Sequence, residues 1–209
     1  MRKLTLDLTA RSQLAKEFAR LKRDHTKALQ SNAARVILGS SVVRVFAKGS
    51  KADMLSLLST ISLASLRSVE SEADFKQWFV EHTATLERCL AEKNANNERV
   101  HPGLRWGHCT KVLALFARQI VNSPGLFDQA ALSKIEPWLY VPVDSIVMNR
   151  LRQCGVRPSF SRIKEISTAE EFFEVQNLLG EVASGAGVPR IWFDDNWGHR
   201  NREGELMAA

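Results

Sequence analysis

Apolar residues in this chain recur at intervals of three and four along nearly its whole length, and no segment alternates cleanly between apolar and polar. That period predicts an all-α fold. From about Thr9, Leu14, Phe18 and Leu21 mark one face of a helix whose other side is Arg11, Lys16, Arg20, Lys22, Arg23 and Lys27. Ile37 to Phe46 fits a strand and an interrupted helix equally well, and Ser50 to Arg67 reads as one buried helix. Ser71 is a natural cap for the next, with Phe75, Phe79, His82, Leu86 and Leu90 along its face. After the Asn94–Asn97 break, a helix is expected from about Gly107 to Val121 and a short one from Asp128 to Lys134. Pro142 is placed to open another, because a helix start does not use the N–H that proline lacks. Thr168 and Glu171 form a capping box for the last long one.

With 209 residues, 44% hydrophobic and 25% charged, the chain can bury a core without staples. It reads as a single compact helical unit over 1–209, with possible lobes at about 36–98 and 99–165 and the terminal helices packing across both. The longest nearly uncharged stretch, Met54 to Leu66, is too short to span a bilayer. No apolar run with a small-residue cleavage site opens the chain, and Cys89, Cys109 and Cys154 are odd in number and far apart. A cytoplasmic, nucleoid-associated monomer is the expectation, with no membrane partner.

The net charge of +6 is unevenly placed. Residues 1–35 hold nine Lys/Arg against three Asp/Glu, and residues 99–164 hold ten against three. Residues 36–98 are nearly balanced, and residues 165–209 hold three against nine. Contiguous basic blocks suit a surface that follows phosphates, although helical proteins also carry basic faces for solubility.

Two short segments in the basic central block carry the chemistry. In Thr110-Lys111-Val112 the lysine lies near an expected helix start, beside Leu113, Leu115 and Phe116. Cationic neighbours and partial burial disfavour a charged amine, and a neutral amine can attack carbon. In Val141-Pro142-Val143-Asp144 the carboxylate is expected two or three residues inside the helix opened by Pro142. There it accepts backbone N–H bonds, stays ionised and can stabilise a cationic sugar. Taken singly, the pair reads more plainly as an exposed lysine and a capping aspartate.

Together these segments resemble the signature of the helix-hairpin-helix DNA glycosylase superfamily, most closely the archaeal-type branch of the 8-oxoguanine glycosylases. The resemblance covers about residues 101–154. It implies two α-helical lobes with a flipped base in the cleft between them, Lys111 as Schiff-base nucleophile and Asp144 as catalytic carboxylate. The chain departs from that family in two ways. The hairpin is an imperfect His101-Pro102-Gly103-Leu104-Arg105-Trp106-Gly107, and 33 residues separate Lys111 from Asp144.

Other residues take secondary roles in this reading. Gly103 and Gly107 would let backbone approach a phosphate, while Arg105, Arg150, Arg152 and Arg157 would contact phosphates. Trp106 is either a packing residue or a wedge, Gln176 either a solvated helix residue or a base reader, and Trp192 either a core seal or a stacking wall. His101, His108, Cys109 and Cys154 lack metal-ligand spacing, so neither metal nor cofactor is expected, and the thiols read as buried. The partner expected is double-stranded DNA carrying a damaged or modified base, 8-oxoguanine or a bulky modified pyrimidine of phage DNA. Two other functions fit the same residues: a non-catalytic helical DNA-binding protein, and a protein-interaction domain using the acidic C-terminal block.

Overall fold

The computed structural model describes residues 8–98 and 106–197, and the described chain is all-α with no strand. Helix α1 (Leu8–Leu38) runs into the start of the ambiguous stretch, and a 3-10 turn at Ser41–Val45 follows within it. The single helix read over Ser50 to Arg67 is two, α2 (Ser50–Thr60) and α3 (Leu63–Arg67). The break has a physical cause. Ile61 and Leu63 are both buried, and an unbroken helix would turn them to nearly opposite sides. Buried Gln30 of α1 satisfies the freed carbonyls, its Nε2 donating to Leu58 O and Ile61 O at 2.8 Å each.

Helix α4 (Glu72–Asn94) starts where Ser71 caps it, the hydroxyl accepting from Asp74 N at 3.2 Å. Helix α5 (Trp106–Val121) is the central strut, packed on α1 and α4 and on the later helices α6 (Gln129–Ile135) and α8 (Ala169–Ala186). Thr168 and Glu171 cap α8 reciprocally. Between α6 and α7 (Ser145–Gln153) the chain passes through a 3-10 turn at Glu136–Trp138 and then a buried irregular segment, Leu139 to Val143. A short acidic helix, α9 (Trp192–Trp197), follows α8.

The buried apolar residues form one cluster. Its aromatic part fixes the segment that leads to the candidate site. Phe79 and Phe172 stack at 5.4 Å, and the Tyr140 ring sits edge-on to both, at 4.9 and 5.6 Å. Edge-to-face pairs of this kind add about 0.5–1.5 kcal/mol each beyond the area they bury.

Gly107 serves packing rather than phosphate approach, which corrects the sequence reading. It is buried, its N–H donates to Ile166 O at 3.0 Å, and a Cβ there would overlap the Ile163 carbonyl oxygen. Gly107→Ala forces the Ile163–Glu165 turn away from α5. The expected loss is about 1–3 kcal/mol, the usual cost of overpacking, read as a lower urea midpoint with an unchanged slope.

Candidate active site

Most of α5 is sealed. Twelve of its sixteen residues are buried, and only Lys111, Leu115, Arg118 and Gln119 reach partial exposure. Lys111, Leu115 and Arg118 are spaced by four and three residues, so they form one stripe along the open face of the helix.

Asp144 arrives from the other side on a rigidly held segment. Gln176, fully buried on α8, grips the Val141 peptide at both ends: its Oε1 accepts from Val141 N at 3.0 Å and its Nε2 donates to Val141 O at 2.9 Å. Buried Arg190 holds the stretch before it, donating to Leu139 O at 3.2 Å and Trp138 O at 3.1 Å while its guanidinium lies 4.6 Å over the Tyr140 ring. Asp144 is the N-cap of α7, not a residue inside it, and Pro142 lies buried in the segment before the helix. The reason is the carboxylate itself. Its Oδ1 accepts from Ile146 N at 2.9 Å and Val147 N at 3.1 Å, so the helix begins only after it.

The second oxygen of that carboxylate meets the lysine. Lys111 Nζ and Asp144 Oδ2 lie 2.9 Å apart, with 21% and 31% of their side chains exposed. Residues 33 apart in sequence thus converge where solvent can reach both. A part-exposed pair contributes about 1 kcal/mol or less to stability, so its geometry is of more interest than its strength. The lysine faces a carboxylate rather than the cationic neighbours expected from the sequence.

Beside the pair lies a second charged group that the sequence did not single out. Arg118 bonds both Asp194 and Asp195 of α9. Burial raises the Asp194 carboxyl above its ordinary value of 3.8; Arg118 opposes that shift, and the nearby Asp144 charge reinforces it. A raised folded value means the folded protein holds this proton more tightly than the unfolded chain. Stability contributed through Asp194 therefore falls as pH rises from 3.8 through the raised value. Asp194→Asn should flatten that part of the stability–pH curve, measured by urea unfolding at stepped pH; an unchanged slope would refute the assignment.

A cavity of about 260 Å³ opens along the same stripe, lined in part by Leu115, Arg118, Gln119, Glu136, Trp192 and Asp195. Trp192, 44% exposed, donates its indole N–H to Glu136 Oε1 at 3.2 Å and so stands as one wall.

The remaining sequence candidates divide. Arg150 and Arg152 project from the last turn of α7, bonding Gln153, Asn149 and the Phe160 carbonyl among the described residues, and Arg157 is exposed. These three stay accessible to an anion. Trp106 is 7% exposed and belongs to the core, so it is not a wedge. Gln176 is equally removed from any base, because Val141 uses both ends of its amide. Cys109 is buried as expected, whereas Cys154 is exposed. Gly103 and Arg105 lie outside the described residues, as does His101. The sequence reading missed Arg118, Asp194 and Arg190; the only hint was the Trp192-Phe193-Asp194-Asp195 cluster near the C-terminus. No known protein family, curated protein or solved structure matches this chain, and the site is read from its own geometry.

Proposed function

We propose that the protein is a DNA glycosylase with lysine-dependent lyase chemistry, built on the two-lobed plan of the helix-hairpin-helix enzymes. The observation that carries this reading is the 2.9 Å approach of Lys111 Nζ to Asp144 Oδ2 at a solvent-reachable edge. Asp144 takes a proton from the lysine, and the freed amine attacks C1′ of an extruded nucleotide. The C1′–N bond to the base breaks, and its electron pair leaves with the base, which gains a proton. The Nζ lone pair then opens the sugar ring, O4′ takes a proton, and an imine joins Lys111 to C1′. Loss of a C2′ proton expels the 3′-phosphate, and water finally releases the lysine. Asp144 passes the lysine's proton to the departing base and, ionised again, stabilises the positive charge left on the sugar. Arg150, Arg152 and Arg157 supply phosphate contacts, and the cavity walled by Trp192 opens from Leu115, one helical turn beyond Lys111.

The test uses duplex oligonucleotides, each with one altered base, including 8-oxoguanine and glucosylated hydroxymethylcytosine, and a duplex with an abasic site. The expected results are release of one of those bases and, with borohydride present, a stable protein–DNA adduct. Neither base release nor adduct would overturn the proposal.

A second reading is a non-catalytic DNA-binding protein. It is favoured by a groove of about 890 Å³ that shares no lining residue with the cavity and is bordered by Lys22, Arg23, Lys27 and Arg67. Salt-dependent DNA binding without base release or adduct would support it.

A further inference from the structure

Helix α1 is 31 residues long, about 46 Å at 1.5 Å per residue, yet only its C-terminal end is packed. Gln30, Ala33, Ala34, Ile37 and Leu38 are buried, while every residue from 11 to 25 is exposed. Five large hydrophobic side chains are exposed among the described residues, and four are on α1: Leu14 at 37%, Phe18 at 66%, Leu21 at 58% and Val36 at 62%. At 3.6 residues per turn these four fall on one line, Val36 lying five whole turns after Phe18. His25, Ala28 and Asn32 continue that line between them, and all three are exposed. The apolar face marked by Leu14, Phe18 and Leu21 is therefore bare from Leu14 to Val36. A helix with nothing packed on its first half gains little from its own hydrogen bonds.

The spacing 14, 18, 21, 25, 28, 32 alternates fours and threes, the seam of a two-stranded coiled coil. We propose that α1 pairs in parallel with α1 of a second copy of this chain along that seam. Charge selects both the occupant and the direction. Glu17 and Asp24 flank one side of the seam and Lys22 the other. A parallel pair sets Glu17 against the partner's Lys22 on both flanks. An antiparallel pair brings the acidic flanks together instead. Lys16, Arg20, Arg23 and Lys27 occupy the outer positions, away from the seam, so the basic excess of the helix is not pressed into the interface. Asn32 fills the last seam position, where an amide can pair across the two strands and fix register. From Leu14 to Asn32 the paired length is about 27 Å, between two and three heptads. The chain is thus a dimer rather than the monomer expected from its sequence, and this holds whatever chemistry Lys111 performs.

Light scattering on the full chain at tens of micromolar is the measurement. Wild type is expected at twice the 23.5 kDa chain mass, and the Phe18→Glu/Leu21→Glu double variant at the single mass with the same urea midpoint for its core. Glu17→Lys alone should raise the dissociation constant roughly two- to fivefold, from the loss of two flank pairs. Adding Lys22→Glu to it should restore dimerisation. A wild-type monomer, a dimer that survives the double variant, or a charge swap that fails to restore it would each overturn the proposal. A monomer that instead sediments with phosphatidylserine vesicles, and loses this with Phe18→Glu, would assign the stripe to a membrane surface and overturn it equally.

Discussion

Lys111→Gln is expected to abolish both the borohydride-trapped adduct and base release, a loss on the order of 10⁴-fold or more, as when a covalent nucleophile is removed. The fold should survive the change. The side chain is part-exposed, its pairing with Asp144 contributes little stability, and Asp144 keeps both backbone bonds without it. Asp144→Asn separates the two duties of the carboxylate: the amide oxygen can still cap α7, but no anion faces the lysine. Base release should fall roughly 10²- to 10³-fold, in the range of losing one electrostatic contact to a transition state. Asp144→Ala adds a cap loss of about 1 kcal/mol. Arg152→Ala should weaken DNA binding and leave the adduct intact. Single-turnover assays on one lesion duplex, run beside urea unfolding of each variant, give both readouts. An adduct that persists in Lys111→Gln would place the nucleophile elsewhere and sink the mechanism.

The largest stability effect is expected at Gln176, which touches no exposed group. Gln176→Leu leaves the Val141 N–H and C=O buried without partners, at about 1–3 kcal/mol for each orphaned group, so roughly 2–6 kcal/mol in all. Gln176→Glu keeps the acceptor for the Val141 N–H, loses the donor for its carbonyl and places a charge in the core, so it should be no milder. Urea midpoints rank the variants. A Gln176→Leu protein within 0.5 kcal/mol of wild type (about the scatter of a neutral surface change) would show that the segment needs no such grip. Where the variant remains folded, a slower Schiff-base rate with unchanged DNA affinity is expected, because the segment that carries Asp144 loses its anchor.

The helical class of the described chain, the Ser71 cap and the Thr168–Glu171 box were legible because each is a local signal that needs no knowledge of the partner surface. The convergence of Lys111 with Asp144 was legible only as a pair: each had the appearance of an ordinary helix-start residue, and 33 positions separate them. Other features were not readable for physical reasons. A glutamine on a helix has the same sequence appearance whether it reads a base or a backbone peptide, and Gln176 does the second. A glycine before a lysine suggests anion approach, yet Gly107 admits the Ile163 carbonyl. Period alone marks Leu14, Phe18 and Leu21 as a face to be covered without saying what covers it. Arg190 and Arg118 carry no motif at all, since their partners lie on distant segments of the chain.

The lysine is mounted on the most enclosed of the described helices. Backbone amides around it should be among the slowest to exchange with deuterated solvent, opening only when the whole domain does. With the backbone under the amine held fixed, the proposed chemistry would require the nucleic acid to supply most of the motion. Duplexes that deform cheaply at the altered position, through weak stacking or a mispair, would then react first. Discrimination would follow the mechanics of the DNA as much as the lining of the cavity.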